Sequence, residues 1–167
     1  AFRIAYFKIN YPEAYYAAYF TVRACDDFDY SCMCKGIDVA KEAIKEIHAK
    51  GQEATAKDKS KQTVLEIIVE FYARGFKFVP IDLYKSDATV FKIEDGKIRL
   101  AFSSLNGTGE NAAKSIAAAR DDGEGEFMCV DEFQRRAGVS SSVITALREA
   151  GALEGLPDSM QISLFDF

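Results

Sequence analysis

The segment from Phe102 to Ile116, FSSLNGTGENAAKSI, has the residue pattern of a site that binds a phosphate group. Gly107 and Gly109 predict a tight turn, because glycine adopts positive φ and lets a partner approach the backbone closely. Apolar residues at helical spacing flank this turn: Phe102, Leu105, Ala113 and Ile116. The pattern is that of a helix, a hairpin turn and a second helix, whose first backbone N–H groups point outward. Such N–H groups bind a phosphate oxygen without reading a base.

Charge around this turn supports the same interpretation. Four basic residues and one acidic residue lie between positions 97 and 120: Lys97, Arg99, Lys114, Arg120 and Glu110. A plain pair of helices joined by a glycine turn is the alternative, but two glycines with this flanking pattern favour phosphate binding. The predicted DNA-binding residues in this segment are Gly107, Thr108, Gly109, Asn111, Lys114 and Arg120.

A weaker copy of the pattern follows in VDEFQRRAGVSSSVITALREAGAL. It predicts a helix, a turn at Gly138 and a further helix that begins near Ser141, with Ser140 as its capping residue. This copy keeps one turn glycine, and Arg135 and Arg136 are its predicted contacts with the DNA backbone. Two such hairpins would grip both strands of a duplex across the minor groove. The acidic run DDGEGE that precedes the copy is predicted to be a solvated turn.

Helices and a small sheet must position the two turns. Residues 1–23 predict two helical pieces, with Pro12 in the first turn of the second piece. Two more amphipathic helices follow, one with Ile37 through Ile47 on its apolar face and one with Val64 through Tyr72. FKFVPIDL predicts an edge strand, and VFKIEDGKIRLAF predicts a β-hairpin that turns at Asp95-Gly96 and is covered by the preceding helix. The fold class is therefore α+β, mostly α: a helical region, a small β-hairpin or sheet, and a tandem helix–hairpin–helix unit.

Composition narrows the class of protein. The 167 residues are 49% hydrophobic and 28% charged, which is ordinary for a globular chain, and the net charge of −5 argues against indiscriminate binding to nucleic acid. No apolar run is long enough to span a bilayer, and no secretory signal is present, so a cytoplasmic location is predicted. Cys25, Cys32 and Cys34 crowd together without a Cys-x-x-Cys pair, so they predict reduced thiols and neither disulfides nor a metal site. His48 is predicted to lie on a helix surface.

The order of these motifs resembles the C-terminal end of the PolC-type DNA polymerase III alpha subunit of Gram-positive bacteria. AFRIAYFKINYPEAYYAAYFTVRA is similar to the last part of that family's fingers domain. RGFKFVPIDLYKSDATVFKIEDGKIRLAFSSLNGTGENAAKSI and EFMCVDEFQRRAGVSSSVITALREAGALEGLPDSMQISLFDF resemble its tandem helix–hairpin–helix, duplex-binding domain and its closing segment. The resemblance implies three parts: the end of the fingers at 1–75, the small β unit and duplex-binding domain at 76–157, and a clamp-binding tail at 158–167.

The tail, MQISLFDF, resembles the peptide with which this family binds the ring-shaped sliding clamp. The family's form is Gln, an aliphatic residue, Ser or Asp, Leu and Phe, and the matching residues here are Gln161, Ile162, Ser163, Leu164 and Phe165. Ile162 replaces the commoner Leu. Asp166 and Phe167 extend beyond the usual end of the peptide.

The resemblance implies a role in template-directed DNA synthesis that other parts of a longer chain complete. In this family the catalytic aspartates hold two magnesium ions in a palm domain upstream, so no catalytic residue and no cofactor is expected within these 167 residues. The expected partners are double-stranded DNA, the bacterial sliding clamp and the remainder of the polymerase chain, with no membrane. Ala1 in place of an initiator Met agrees with a chain cut from a longer protein.

Two other functions fit parts of the sequence. A stand-alone DNA-repair or recombination accessory protein also carries helix–hairpin–helix pairs, but it is expected to begin with its own Met and a capped helix. A protein–protein adaptor would use the hairpins without touching DNA. Salt-dependent DNA binding separates the adaptor from the other two, because phosphate contacts weaken steeply with salt.

Overall fold

A computed structural model describes residues 2–24 and 26–160. The first part of this chain is helical, as predicted. Its helices are α1 (Phe2–Asn10), α2 (Pro12–Ala18), α3 (Tyr30–Met33), α4 (Ile37–Ala49) and α5 (Ala56–Ala73), and α2 continues as a π-helical turn over Tyr19–Arg23. Pro12 occupies the start of α2, where its missing N–H costs nothing. Thr55 and Asp58 start α5 through a reciprocal capping box.

The predicted strand and hairpin form one small sheet. Its strands are β1 (Phe78–Val79), β2 (Lys92–Glu94) and β3 (Lys97–Arg99), in the order β1-β3-β2. β1 runs parallel to β3, and β2 runs antiparallel to β3. Asp95 at φ 50° and Gly96 at φ 74° make the connecting turn, which confirms the prediction for this dipeptide. Pro80 follows directly after the edge strand β1, where its missing donor is tolerated.

Aromatic side chains join the helices to the sheet. The ring of Phe20 lies 5.6 Å from Phe71 in α5, 5.3 Å from Phe78 in β1 and 5.8 Å from Phe91, measured between centroids. Phe71 and Phe78 stack at 4.6 Å. The π-helical end of α2 therefore covers the sheet together with α5, whereas the sequence predicted α5 alone. Buried residues on both sides of residue 75 belong to one hydrophobic cluster.

The C-terminal part is helical again. A 3₁₀ turn (Phe102–Ser104) leads into α6 (Glu110–Arg120), α7 (Val130–Ala137) and α8 (Ser141–Glu149). The buried apolar residues of this region include every one that the hairpin pattern singled out: Phe102, Leu105, Ala113 and Ile116. The structure confirms the predicted fold class, α+β and mostly α.

Two further findings concern membranes and thiols. Over residues 2–24 and 26–160, no helix is long and apolar enough to cross a membrane. Cys32, Cys34 and Cys129 are free thiols, and burial raises the pKa of Cys34. Cys25 lies outside the described residues.

Candidate nucleic-acid interface

The first predicted turn has a conformation that requires glycine at one position only. Gly107 has φ 82°, in the region that favours glycine, whereas Gly109 has φ −68° and ψ 164°, which any residue adopts. The Thr108 N–H donates to the Leu105 carbonyl at 3.0 Å and closes the turn. A Cβ built on Gly109 would meet nothing within 4 Å, so the chain itself leaves this position open.

The N-terminus of α6 presents unpaired backbone donors. Gly109 is its N-cap residue and has no side chain to accept a hydrogen bond from the first turn. The N–H groups of Glu110, Asn111 and Ala112 therefore lack an intrahelical acceptor. The turn opens onto a concave pocket with a volume of about 600 Å³. Its lining includes Asn106, Gly107, Gly109 and Glu110. Free N–H groups and the helix dipole together favour an anion at this place.

Thr108 is the buried residue of the turn. Its side chain is 5% exposed, and its Oγ1 atom is buried without a hydrogen-bond partner among the described residues. The structure therefore places Thr108 apart from the outward-facing groups of the predicted site.

The second predicted turn resembles the first at its glycine and at its N-cap residue. Gly138 has φ 62°, in the same region as Gly107, and Ser140 has φ −72° and ψ 159°, nearly the angles of Gly109. The residue between these two is buried in both turns, since Val139 is 8% exposed and Thr108 is 5% exposed. The structure thus confirms a helix, a turn and a helix that begins at Ser141.

Ser140 stands at the N-cap position of α8 but does not cap it with its side chain. Its hydroxyl is hydrogen-bonded to the Ser142 hydroxyl at 2.8 Å, and no first-turn N–H donates to it. Ser140 is therefore the N-cap residue, as predicted, but its side chain makes no capping hydrogen bond. The Val143 N–H donates to the Ser140 carbonyl at 3.1 Å, so the open donors of α8 are the N–H groups of Ser141 and Ser142.

The N-terminus of α7 provides an internal comparison. Its Val130 N–H donates to the Pro157 carbonyl at 2.9 Å, and its Asp131 N–H donates to the Asp158 carbonyl at 3.1 Å. Carbonyl groups of the chain after α8 thereby accept hydrogen bonds from the first N–H groups of α7. The helices α6 and α8, which follow the two glycine turns, keep theirs open.

Two of the four basic residues near the first turn serve the fold. Arg99 is held by the Glu94 carboxylate and donates to the Pro80 carbonyl at 2.7 Å. Arg120 donates to the Ser86 carbonyl at 2.5 Å and pairs with Asp121 at 2.8 Å. The basic excess in the sequence therefore overstates the positive charge that is free at the surface.

The predicted site residues Arg135 and Arg136 have opposite surroundings. Arg135 is exposed, and no described residue forms an ion pair with it. The side chain of Arg136 is only 7% exposed and stacks on Phe127 at 4.3 Å. It binds Asp122 at 2.6 Å and lies within 3.5 Å of Glu124. The acidic run DDGEGE is exposed to solvent, as predicted for a turn, and two of its carboxylates also hold Arg136.

Among the predicted DNA contacts of the first hairpin, the exposed side chains are those of Asn111 and Lys114. Lys114 pairs with Glu110 one turn earlier at 2.5 Å, and both side chains are well exposed. Such a pair contributes little to stability and exchanges readily for another partner. The structure therefore brings together Gly107, Gly109, Asn111 and Lys114 at the N-terminus of α6. Arg120 and Arg136 have intramolecular partners instead.

Sequence reasoning missed a polar contact that holds the first turn from a distance. The Asn106 side chain, directly before Gly107, donates to Asp29 Oδ1 at 2.8 Å and accepts from the Tyr30 N–H at 3.3 Å. Asp29 also accepts from Lys61 at 2.5 Å. Burial alone would raise the pKa of Asp29, but hydrogen bonds from Lys61, Ser31 and Asn106 hold it well below its ordinary value. The partners are far apart in the chain, so no local pattern signals the contact.

A family model described as "Helix-hairpin-helix motif" matches residues 75–161. This range includes both glycine turns and the helices that follow them. The chain belongs to the helix-hairpin-helix motif family.

Curated relatives match almost the whole chain. It is 51% identical over 165 residues to the DNA polymerase III PolC-type of Caldanaerobacter subterraneus, 48% to that of Clostridium perfringens and 46% to that of Bacillus subtilis. Each match covers 99% of this chain but only 11–12% of the relative. This helix-hairpin-helix chain is thus homologous to a segment of PolC-type DNA polymerase III.

Proposed function

We propose that this chain binds the backbone of double-stranded DNA through the N-termini of α6 and α8, as part of a cytoplasmic replicative DNA polymerase. One observation carries the proposal: each helix follows a glycine at positive φ and an N-cap residue with nearly the same angles, and neither helix has a side-chain cap. The homology to PolC-type polymerases supports the choice of duplex DNA over other anions.

Backbone N–H groups carry no base information, so binding is nearly indifferent to sequence. The expected affinity lies in the range of non-specific binding, about 10⁻⁴ to 10⁻⁶ M at physiological salt, and falls steeply as salt rises. Fluorescence anisotropy with several unrelated duplexes and a salt series tests this. Equal affinities that decline with salt support the proposal, and tight binding to one sequence or salt-independent binding refutes it. Salt-independent binding would also favour the protein–protein adaptor.

Catalysis in this account belongs to other parts of a longer polymerase. Among residues 2–24 and 26–160, no group of three or more His, Cys, Asp or Glu side chains is arranged to hold a metal ion. We propose that the two-metal transfer of nucleotides takes place outside this segment.

We assign the apolar face of α1 to contact with the remainder of such a polymerase chain. Phe2 is 86% exposed and Ile9 is 73% exposed, and a groove of about 780 Å³ lies between Ile4, Phe7 and Tyr15. An exposed apolar surface of this kind marks an interaction site. The relatives are roughly eight times as long as the chain, so the larger part of such a protein is available to cover it. A stand-alone accessory protein leaves this face without an occupant.

We propose the tail residues Gln161, Ile162, Ser163, Leu164 and Phe165 as the peptide that binds the sliding clamp. These residues lie outside the described part of the chain. The segment that leads to them is fixed: Pro157 and Asp158 accept hydrogen bonds from α7, and Asp158 pairs with Arg148 at 2.6 Å. The tail therefore starts from a defined place at the end of the duplex-binding unit.

Calorimetry of the full chain against a bacterial sliding clamp tests the tail. The native chain is expected to bind weakly, in the micromolar-to-millimolar range, because burying a Leu and a Phe contributes about 3–6 kcal/mol before the cost of ordering. A chain with a scrambled tail and a chain with Gln161, Leu164 and Phe165 all replaced by Ala serve as controls. Equal heats for the native and scrambled chains refute the assignment.

A further inference from the structure

The contact between Asp29 and Asn106 joins two regions that are distant in sequence. Asp29 caps the short helix α3 in the N-terminal helical region, and Asn106 is the last residue before Gly107. The Asn106 amide makes two hydrogen bonds there, one to the Asp29 carboxylate at 2.8 Å and one from the Tyr30 N–H at 3.3 Å. A side chain held at both its donor and its acceptor end has little freedom to rotate.

Asp29 is itself fixed from the other side. Its Oδ1 atom accepts from the Ser31 N–H at 3.0 Å and from the Ser31 hydroxyl at 2.5 Å. Its Oδ2 atom accepts from Lys61 in α5 at 2.5 Å, and the two side chains are 22% and 30% exposed. Because charged groups shorten and strengthen hydrogen bonds, this carboxylate is a firm anchor for Asn106.

We infer that Asp29 is a positioning residue, which acts through Asn106 to hold the Gly107–Gly109 turn in the conformation that binds phosphate. The inference rests on the proposed function of that turn. The turn needs such a support because Gly107 has a wide choice of backbone angles, and fixing one of them costs conformational entropy. The hydrogen bonds of Asp29 offset this loss of entropy when the chain folds. The open N–H groups of α6 are therefore already arranged before DNA binds.

The direction in which Asp29→Ala changes duplex affinity distinguishes a positioning role from a purely electrostatic one. Asp29 carries a negative charge close to the proposed phosphate site, so its removal by electrostatics alone would strengthen DNA binding. Positioning predicts the opposite, that Asp29→Ala weakens binding although it removes a repulsive charge. Asp29→Ala keeps the Asn106 amide itself, so a loss cannot come from the removal of Asn106 atoms.

The experiment compares Asp29→Ala, Asn106→Ala and the double variant in the full chain. Asp82→Ala is the matched control, because Asp82 also holds a turn by accepting from two N–H groups, those of Tyr84 and Lys85. Three quantities are measured: affinity for a duplex at fixed salt, the free energy of unfolding, and hydrogen exchange of the Thr108 N–H, which closes the turn onto Leu105.

We expect each single variant to weaken duplex binding about fivefold, which is the scale of one hydrogen bond, and the double variant to lose no more than either alone. The Thr108 N–H should exchange faster in all three and not in Asp82→Ala. The inference is overturned if the native chain binds DNA while Asp29→Ala binds equally or more tightly, or if Thr108 exchange is unchanged. If the native chain does not bind duplex, or Gly107→Val leaves binding intact, the proposed function itself fails.

Discussion

Substitution of Gly109 by valine should abolish most duplex binding and leave the fold intact. The backbone at Gly109 (φ −68°, ψ 164°) accepts any residue, and a Cβ there meets no atom within 4 Å. Ser140 carries a side chain at the matching position of the second turn with nearly the same angles. We expect the branched side chain of valine, which is larger and less polar than that of Ser140, to project into the space that the proposed phosphate would occupy.

The magnitudes follow from this geometry. A worse N-cap residue costs up to about 1 kcal/mol, and the loss of glycine's freedom in the unfolded chain returns about 0.4–1 kcal/mol, so the free energy of unfolding should change little. Displacing the phosphate forfeits at least one hydrogen bond to a charged group, worth about 1.5–3 kcal/mol. Duplex affinity should therefore fall roughly 10- to 150-fold.

The assay pairs denaturant unfolding with duplex anisotropy for Gly109→Ala and Gly109→Val. The alanine variant serves as the smaller step in the same position, so the loss of affinity should grow with side-chain size while stability stays nearly constant. The reasoning is refuted if Gly109→Val remains folded and binds duplex with native affinity and native salt dependence. It is also refuted if the variant unfolds, since the open space at Cβ predicts tolerance.

Three other outcomes are expected from the same contacts. Arg136→Met should lower the midpoint of thermal unfolding because it removes the ion pairs of a nearly buried guanidinium, and duplex affinity measured well below that midpoint should be unchanged. A strong loss of affinity in a stable variant would place Arg136 on DNA. Ser140→Ala should lower the free energy of unfolding much less than Thr55→Ala does, because only Thr55→Ala removes a capping hydrogen bond, worth about 1 kcal/mol. Equal losses for the two variants in urea titrations would show that Ser140 caps α8 after all. Hydrogen bonds from Lys61 and Lys8 lower the pKa values of Asp29 and Glu70. Both carboxylates therefore stabilise the fold above about pH 4, and this stability is lost as the pH falls. Thermal midpoints that do not decline between about pH 5 and pH 2 would contradict this.

Local patterns in the sequence were sufficient for much of the fold. Asp95-Gly96 between two alternating apolar runs predicted the hairpin, because few dipeptides adopt positive φ at both positions. The glycines of the two turns and their apolar neighbours predicted the start of α6 and α8. In each case the signal and its structural consequence lie within a few residues of each other.

The sequence carried no signal where a side chain's partner is distant in the chain. Arg120 and Arg136 have the sequence character of DNA contacts, but Ser86 and the DDGEGE run bind them within the fold. The Asp29–Asn106 contact spans 77 positions and has no local signature. Charge counted along a sequence therefore does not give the charge at a surface, since ion pairs within the fold remove part of it.

The most direct test of the account follows the backbone amides of the 167-residue chain by NMR while a short duplex is added. The account predicts shifts for Gly107, Gly109 and the first-turn residues of α6, and for Ser141 and Ser142 at the start of α8. The amides of Val130 and Asp131 at the start of α7, already bound to the chain's own carbonyls, should not move. Shifts centred on α7 or on the β2–β3 hairpin, with α6 and α8 unaffected, would contradict the claim that these two helix N-termini bind DNA.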